Sequence, residues 1–313
     1  MIDRLGREVN YLRLSLTSRC NLRCNYCLPA DLVQSGAELL GEDDFVFIVQ
    51  AAARVGIERV RLTGGEPMLV PFLPGLISRV AKVAGIRDIA LTTNGVNLAQ
   101  SADVLKRAGL TRVNISIDSL RSERYSEITR GGSLEMALAG VWSALRAGLD
   151  PVKINCVVIG GINDDEVRDY VALTMDSPIS VRFIELMPFG ECSDWPEERF
   201  VAMEKVIAGI GELEPASTEG GGPASIFRVP GALGTVGFIQ GVSRHFCATC
   251  NRLRITSQGK IRPCLFADDE LDMLPAVQAR DLDLAGKMIR DALEHKPDRM
   301  AVQRRKKMAE IGG

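Results

Sequence analysis

The sequence predicts an α/β protein, an incomplete (β/α)6 barrel followed by an α+β extension. Between residues 11 and 187, six short β-branched runs alternate with amphipathic stretches, the pattern of βα units on a parallel sheet. Cysteines, a glycine pair and an asparagine fall just after these runs, at the carboxyl ends of strands where such folds gather their chemistry. Past residue 190 the alternation gives way to one helix pattern, a glycine-rich stretch and short strand-like runs. The division is therefore 1–190 for the partial barrel and 191–313 for the extension.

The elements follow in order. YLRLSLT (11–17) is the first strand, with Cys20 just beyond it. DDFVFIVQAAARVG (43–56) carries a helical apolar stripe into ERVRLT (58–63), which is followed by Gly64 to Pro67. IRDIALT (86–92) leads to Asn94 and Gly95. NLAQSADVLKRAG (97–109) reads as a helix ending on a glycine suited to a C-cap. RVNISID (112–118), VKINCVVI (152–159) and SVRFIELM (180–187) complete the six strands. After MPFGECSDWPEE come STEGGGPAS (217–225), the runs FRV, VGFIQGV and RLRIT, and a closing segment that turns basic at QRRKKM (303–308) and ends on Gly312 and Gly313.

Lys and Arg total 38 against 40 Asp and Glu, so no overall field draws nucleic acid or an anionic membrane, and an anionic ligand must meet local cations. No apolar run reaches spanning length, and MIDRLGREVN holds no apolar leader core, so a cytoplasmic protein is expected. Six of the eight cysteines form two triads, Cys20, Cys24 and Cys27, and Cys247, Cys250 and Cys264. In a reducing compartment such clusters mean metal ligation or catalysis rather than disulfides. Three thiolates on a four-iron cluster leave one iron open to another ligand, and the x3, x2 spacing of the first triad suits a short loop wrapped around a cubane. The second triad has a closed alternative, since His245 could complete a structural zinc site. Cys156, in an apolar strand, reads as a buried thiol, and Cys192 as a surface one.

The first triad after strand one, with Gly64-Gly65-Glu66-Pro67 after strand two, resembles the radical S-adenosylmethionine (SAM) superfamily. FCATCNRLRITSQGKIRPCLF (246–266) resembles the C-terminal cluster segment of the GTP 3′,8-cyclases, the MoaA-type family that begins molybdenum cofactor biosynthesis. LGR, LRLSLT, RLTGGEP, LTTNG, NISIDS, VKIN, RFIELMP with Trp195, and the terminal Gly-Gly extend that resemblance over most of the chain. It implies a lyase with two 4Fe-4S clusters, one on each triad, and SAM bound at the first. A 5′-deoxyadenosyl radical would take hydrogen from C3′ of the GTP ribose, and the carbon radical would attack C8 of guanine to give 3′,8-cyclo-7,8-dihydro-GTP. The open iron of the second cluster would hold the base.

Carried over residue by residue, the resemblance assigns Tyr26, Gly65, Ser116 and Met187 to SAM, and Arg13, Arg61, Thr92, Lys153, Arg252 and Arg254 to GTP. Arg252 and Arg254 are also expected to be needed for turnover, as are Gly312 and Gly313, whose bare backbones would enter the active site. Arg182 matches a family arginine near both ligands. Guanidinium forks suit phosphate oxygens, and Arg13 and Arg61 in buried strands need a partner in any case. Two departures stand out: MLVPFLP after Gly-Gly-Glu-Pro lacks the basic residue often found there, and the stretch 212–240 matches poorly. The implied partners are GTP, a reductant or electron-donor protein, and a downstream pyranopterin-forming enzyme. A homodimer is compatible with the sequence, which does not fix the oligomeric state. A radical SAM peptide-modifying enzyme with an auxiliary cluster and a zinc-bound regulatory protein are the alternatives.

Overall fold

The computed structural model describes residues 1–28, 40–188, 192, 195–217, 222–267 and 269–299. The six expected strands form where the alternation placed them: β1 (Tyr11–Ser15), β2 (Arg59–Thr63), β3 (Asp88–Thr93), β4 (Arg112–Ser116), β5 (Val152–Val158) and β6 (Ser180–Glu185). They lie side by side in chain order, each parallel to the next. Connecting them are α1 (Glu42–Arg54), α2 (Leu73–Val80), α3 (Ala102–Ala108), α4 (Ser122–Thr129), α5 (Leu134–Arg146) and α6 (Val167–Ala172). α3 stops at Gly109, whose φ of 114° is the left-handed C-cap expected there.

Strand geometry turns alternate residues to opposite faces. Leu12, Leu14, Val60, Leu62, Leu91, Val113, Ile115, Ile154, Val181 and Phe183 are buried in the core that the helices cover. The residues between them, Arg13, Arg61, Thr92, Asn114, Ser116, Lys153, Asn155 and Arg182, take the other face. A slip of one residue in any strand would exchange these sets, driving arginines into the helical core, so the register is strongly specified.

The C-terminal half adds α7 (Met203–Ile210), β7 (Glu214–Pro215), β8 (Ser225–Arg228), β9 (Thr235–Ile239), β10 (Arg252–Ile255), β11 (Lys260–Arg262), β12 (Leu271–Asp272), α8 (Leu274–Ala279) and α9 (Leu282–Glu294). The change of character near residue 190 does not divide the sheet. β9 pairs parallel with β6 at one edge and β10 pairs parallel with β1 at the other. Among the described residues the sheet runs β12-β11-β10-β1-β2-β3-β4-β5-β6-β9-β8-β7 and stays open. Extending both flanks covers the unpaired edges that six strands alone would leave. It also brings the second cysteine segment to the first, because β10 adjoins β1. The part of 212–240 that is described supplies β7, β8 and the whole of β9.

α9 closes the structure against α1. Asp281 caps it by accepting from the N–H groups of Asp283 and Leu284 (3.0 and 2.9 Å), and Ala285, Ile289, Ala292 and Leu293 form its buried stripe. Among the described residues no helix is long and apolar enough to cross a membrane.

Candidate active site

All six clustered cysteines border one cavity of about 310 Å³ at the carboxyl ends of the strands. The first triad rides on the loop leaving β1. That loop is pinned to the end of α4, with Arg23 N donating to Thr129 O (3.1 Å) and Asn25 N to Ile128 O (2.9 Å). It turns through Cys27 N to Cys24 O (2.9 Å). Burial pushes the Cys20 thiol up and the Cys24 thiol well up, the latter with help from Asp118. Such thiols give up their protons to a metal rather than to water.

Gly64 and Gly65 are dictated by the approach of this loop. A Cβ on Gly64 would stand 2.4 Å from the Thr17 carbonyl oxygen, and one on Gly65 would stand 2.2 Å from that of Arg19. In exchange, Gly65 N donates to Thr17 O and Glu66 N to Arg19 O, both at 2.7 Å. The Glu66 carboxylate is committed to the scaffold: it accepts from Met68 N (3.0 Å), Thr93 Oγ1 (2.7 Å) and Asn94 N (2.7 Å). Burial raises its pKa to about 7 despite these bonds. Asn94 Nδ2 in turn donates to Asn21 Oδ1 (2.7 Å), so the turns after β1, β2 and β3 form one unit beneath the triad. The turn at Pro67–Leu69 presents Met68 and Leu69 and no cation.

Tyr26, Gly65, Ser116 and Met187, the positions expected to meet SAM, all border the cavity. Tyr26 is oriented by Asp118, whose Oδ2 accepts from its hydroxyl (2.7 Å) while Oδ1 accepts from Val157 N (2.8 Å). Burial lifts the Asp118 carboxyl to about 6.

The cations lie on rungs of the sheet. Arg254, Arg13 and Arg61 are register partners on β10, β1 and β2, and Ser116, Asn155 and Arg182 on β4, β5 and β6. Arg13, Arg61, Thr92, Asn155, Arg252 and Arg254 border the cavity. Lys153 and Arg182 do not; Lys153 sits two residues nearer the amino end of its strand than Asn155. Burial, then the charges of Arg182, Arg112 and Arg61, bring Lys153 down to about 6. Burial and the neighbouring Arg254, Arg61 and Arg252 push Arg13 well below the usual guanidinium range, and Arg182 and Arg254 come down to about 10. Arg61 is steadied from below by Tyr11, whose hydroxyl accepts from Arg61 Nε (2.7 Å) and from the Arg112 guanidinium (3.1 Å).

The second triad sits on the turn Cys247–Thr249, at Cys250 before β10, and at Cys264 after β11. Glu185 at the end of β6 anchors this segment by accepting from Val242 N (2.8 Å) and Ser243 N (2.9 Å). Arg252 lies over the Phe246 ring (4.7 Å) and reaches Cys250 Sγ (3.7 Å), so it belongs as much to the triad as to the cation rungs. Burial would raise the Cys250 thiol, but Arg252 and Lys296 bring it down to about 6. His245 also borders the cavity. Among the described residues no three His, Cys, Asp or Glu side chains converge on one ion position, and a cubane does not ask for that, since each thiolate takes a different iron.

These residues fit an iron-sulfur cluster and an anionic ligand. The described cysteines form no disulfide with one another. Nε of Arg13 and of Arg254, Thr92 Oγ1 and Asn155 Oδ1 are buried with no hydrogen-bond partner among the described residues. Buried polar atoms left so are costly, and phosphate oxygens and sugar hydroxyls are groups of the right chemistry to partner them. Cys192, read as a surface thiol, is instead buried at the cavity and donates to Met187 O (3.0 Å). Cys156 is buried as expected. Gly312, Gly313 and 303–308 lie outside the described residues. Sequence reasoning did not single out Asn155, Asp118, Glu185 or Tyr11. The first two carry a signal nonetheless, as polar residues at every second position of otherwise apolar strands.

Comparison with known proteins agrees with this construction. The Radical SAM superfamily model matches residues 14–174 and the Molybdenum Cofactor Synthesis C model matches residues 179–302. Among solved structures, Streptococcus suis SuiB bound to the precursor peptide SuiA superposes with a TM-score of 0.64 at 13% identity, over 92% of this chain and 67% of that one. An anSMEcpe structure with bound AdoMet gives 0.55 at 16% identity, over 92% and 78%. At such identities the likeness is one of fold, the radical SAM fold. The GTP 3′,8-cyclase of Alkaliphilus metalliredigens (strain QYMF) is 46% identical over the full length of both chains, and that of Pelotomaculum thermopropionicum is 47% identical, also over both full lengths. The chain belongs to the GTP 3′,8-cyclase family of radical SAM enzymes.

Proposed function

We propose that this chain is a lyase that cyclises GTP to 3′,8-cyclo-7,8-dihydro-GTP, the first step of molybdenum cofactor biosynthesis. The observation that carries the reading is the convergence on one cavity of two cysteine triads and four arginines, Arg13, Arg61, Arg252 and Arg254, with the buried Nε of Arg13 and of Arg254 lacking a partner among the described residues. Cys20, Cys24 and Cys27 would hold a 4Fe-4S cluster, and Cys247, Cys250 and Cys264 a second. With SAM bound, the first would supply the electron that cleaves a carbon-sulfur bond to give the 5′-deoxyadenosyl radical.

The chain's own residues bind, orient and exclude water. Tyr26, Gly65, Ser116 and Met187 surround SAM, with Asp118 fixing Tyr26. Arg13, Arg61 and Arg254 take the triphosphate with Arg252, and Thr92 and Asn155 offer polar atoms to the nucleoside. Lys153 adds charge beneath them; Gly312 and Gly313, outside the described residues, carry an expected role in turnover by family resemblance alone. Holding C3′ against the radical source and C8 against C3′ turns an indiscriminate radical into a selective one. The product has the composition of GTP, so the hydrogen atom taken from C3′ is replaced by one electron and one proton, and a reductant is required.

Such a reductant or electron-donor protein, a cytoplasmic setting that keeps the thiols reduced, and hand-off to a pyranopterin-forming enzyme belong to the same reading. A homodimer is compatible with it. Anaerobic reconstitution followed by SAM, GTP and a strong reductant tests it. A cyclised nucleotide isobaric with GTP, formed together with 5′-deoxyadenosine, is expected. 5′-Deoxyadenosine without a nucleotide product would favour a peptide or another substrate, and zinc without iron or sulfide would overturn the radical chemistry.

A further inference from the structure

Lys296, just after α9, is 2% exposed, and among the described residues no carboxylate lies within ion-pair distance of it. Its ammonium is nonetheless fully used. Nζ donates to Arg252 O (2.7 Å), Pro263 O (2.9 Å) and Cys250 Sγ (3.5 Å). Two of these acceptors bear directly on the second triad: Cys250 itself, and the carbonyl immediately before Cys264. The remaining cysteine is reached through Arg7, which is also buried. The Arg7 guanidinium donates to Cys247 O (3.0 Å), Pro297 O (2.9 Å) and Lys296 O (3.4 Å), while its Nε is held by Asp3 Oδ2 (2.6 Å). Three segments distant in sequence, the start of the chain, the turn at Cys247 and the end of α9, thus meet behind the cysteines.

A buried ammonium without a carboxylate is strongly destabilising unless negative charge stands nearby. The negative charge within reach is that of the cysteine sulfurs, and of whatever they ligate. An N–H donated to a ligating sulfur withdraws electron density from it, and a fixed positive charge favours the reduced, more negative state of a cluster.

We propose that Lys296 is a positioning residue of the second triad: its ammonium joins the Cys250 and Cys264 segments, and it acts as the built-in counter-charge that keeps the cluster's reduction potential up. This rests on the reading of that triad as a cluster site, and the test separates the two. In the full-length chain with Cys20, Cys24 and Cys27 each changed to Ala, only the second triad can take up iron and sulfide. If this background binds zinc or nothing after anaerobic reconstitution, the cluster reading fails and the inference falls with it.

With a cluster present, Lys296→Gln, which keeps a donor but no charge, and Lys296→Arg, which keeps the charge, are compared by redox titration followed by EPR. The expected result is a shift of the midpoint to lower potential in Lys296→Gln and its recovery in Lys296→Arg. Loss of the cluster from Lys296→Gln with retention in Lys296→Arg also supports the proposal. An unchanged potential in Lys296→Gln overturns it. So does loss of the cluster from both variants, since a fixed charge would then not be what the site requires.

Discussion

The Glu185 carboxylate accepts hydrogen bonds from the main-chain N–H groups of Val242 and Ser243, and so fixes the chain a few residues before Cys247 to the end of a barrel strand. Glu185 is 1% exposed, so the contact is dry. Replacing it with Ala leaves these donors facing a void, at a cost of about 1–3 kcal/mol. The melting temperature is expected to fall, and iron retained by the second triad to fall more than iron retained by the first, while SAM cleavage persists. Equal loss from both triads would contradict the anchoring role.

Gly65→Ala places a methyl group 2.2 Å from the Arg19 carbonyl, where only backbone could yield. SAM cleavage and iron uptake by the first triad should both collapse. Gly131→Ala is the control for strain alone: Gly131 has a φ of +107° but nothing within 4 Å of an added Cβ. That variant should lose about 1 kcal/mol of stability or slightly more, seen as a modest drop in melting temperature with turnover intact.

Arg13 sets stability against function. Arg254 and Arg61 flank it on its rung, and its Nε has no partner among the described residues. Exchanging a buried, poorly compensated charge for an apolar side chain is often neutral or stabilising by about 1–4 kcal/mol. Arg13→Met should therefore melt no lower than the parent without ligand, yet bind GTP more weakly by about 2–5 kcal/mol. Calorimetric titration with GTP, beside a thermal melt, reads both quantities.

Lys153 links the site to pH. Its ordinary pKa of 10.5 is lowered to about 6, first by burial and then by Arg182, Arg112 and Arg61. Between these values the unfolded chain binds the extra proton, so this residue makes the ligand-free protein more stable as pH rises from about 6 towards 10.5, and below about 6 its destabilising effect is complete. Lys153→Met should raise the ligand-free melting temperature more near pH 6 than near pH 9.5. A bound triphosphate is expected to restore the charged form, so GTP binding near neutral pH should take up protons, and less so in Lys153→Met. Calorimetry in buffers of different ionisation heat decides this.

The six strands were legible because period-two alternation is a local property, and β1 to β6 lie within a few residues of the runs that announced them. Arg13, Arg61, Thr92 and Lys153 were singled out by the family resemblance, which could not show that Lys153 stops short of the cavity wall. The placement of β9 and β10 on opposite edges of the barrel sheet was not legible, because pairing between distant segments has no local signature. The contacts of Glu185, Arg7 and Lys296 were hidden for that reason, since each acts on a segment far from it in sequence, although Arg7 and Glu185 lie within the LGR and RFIELMP motifs. Glu66 was legible as part of a motif, but only the fold shows its carboxylate committed to Thr93 and Asn94.

The central claim is that SAM and GTP meet in the one cavity bordered by both triads. The most direct test is turnover of GTP carrying deuterium at C3′, with mass analysis of the 5′-deoxyadenosine released. Direct transfer requires the ribose and the radical source to be in contact, so deuterium should appear in the 5′-deoxyadenosine. Unlabelled 5′-deoxyadenosine formed alongside cyclised product would contradict it.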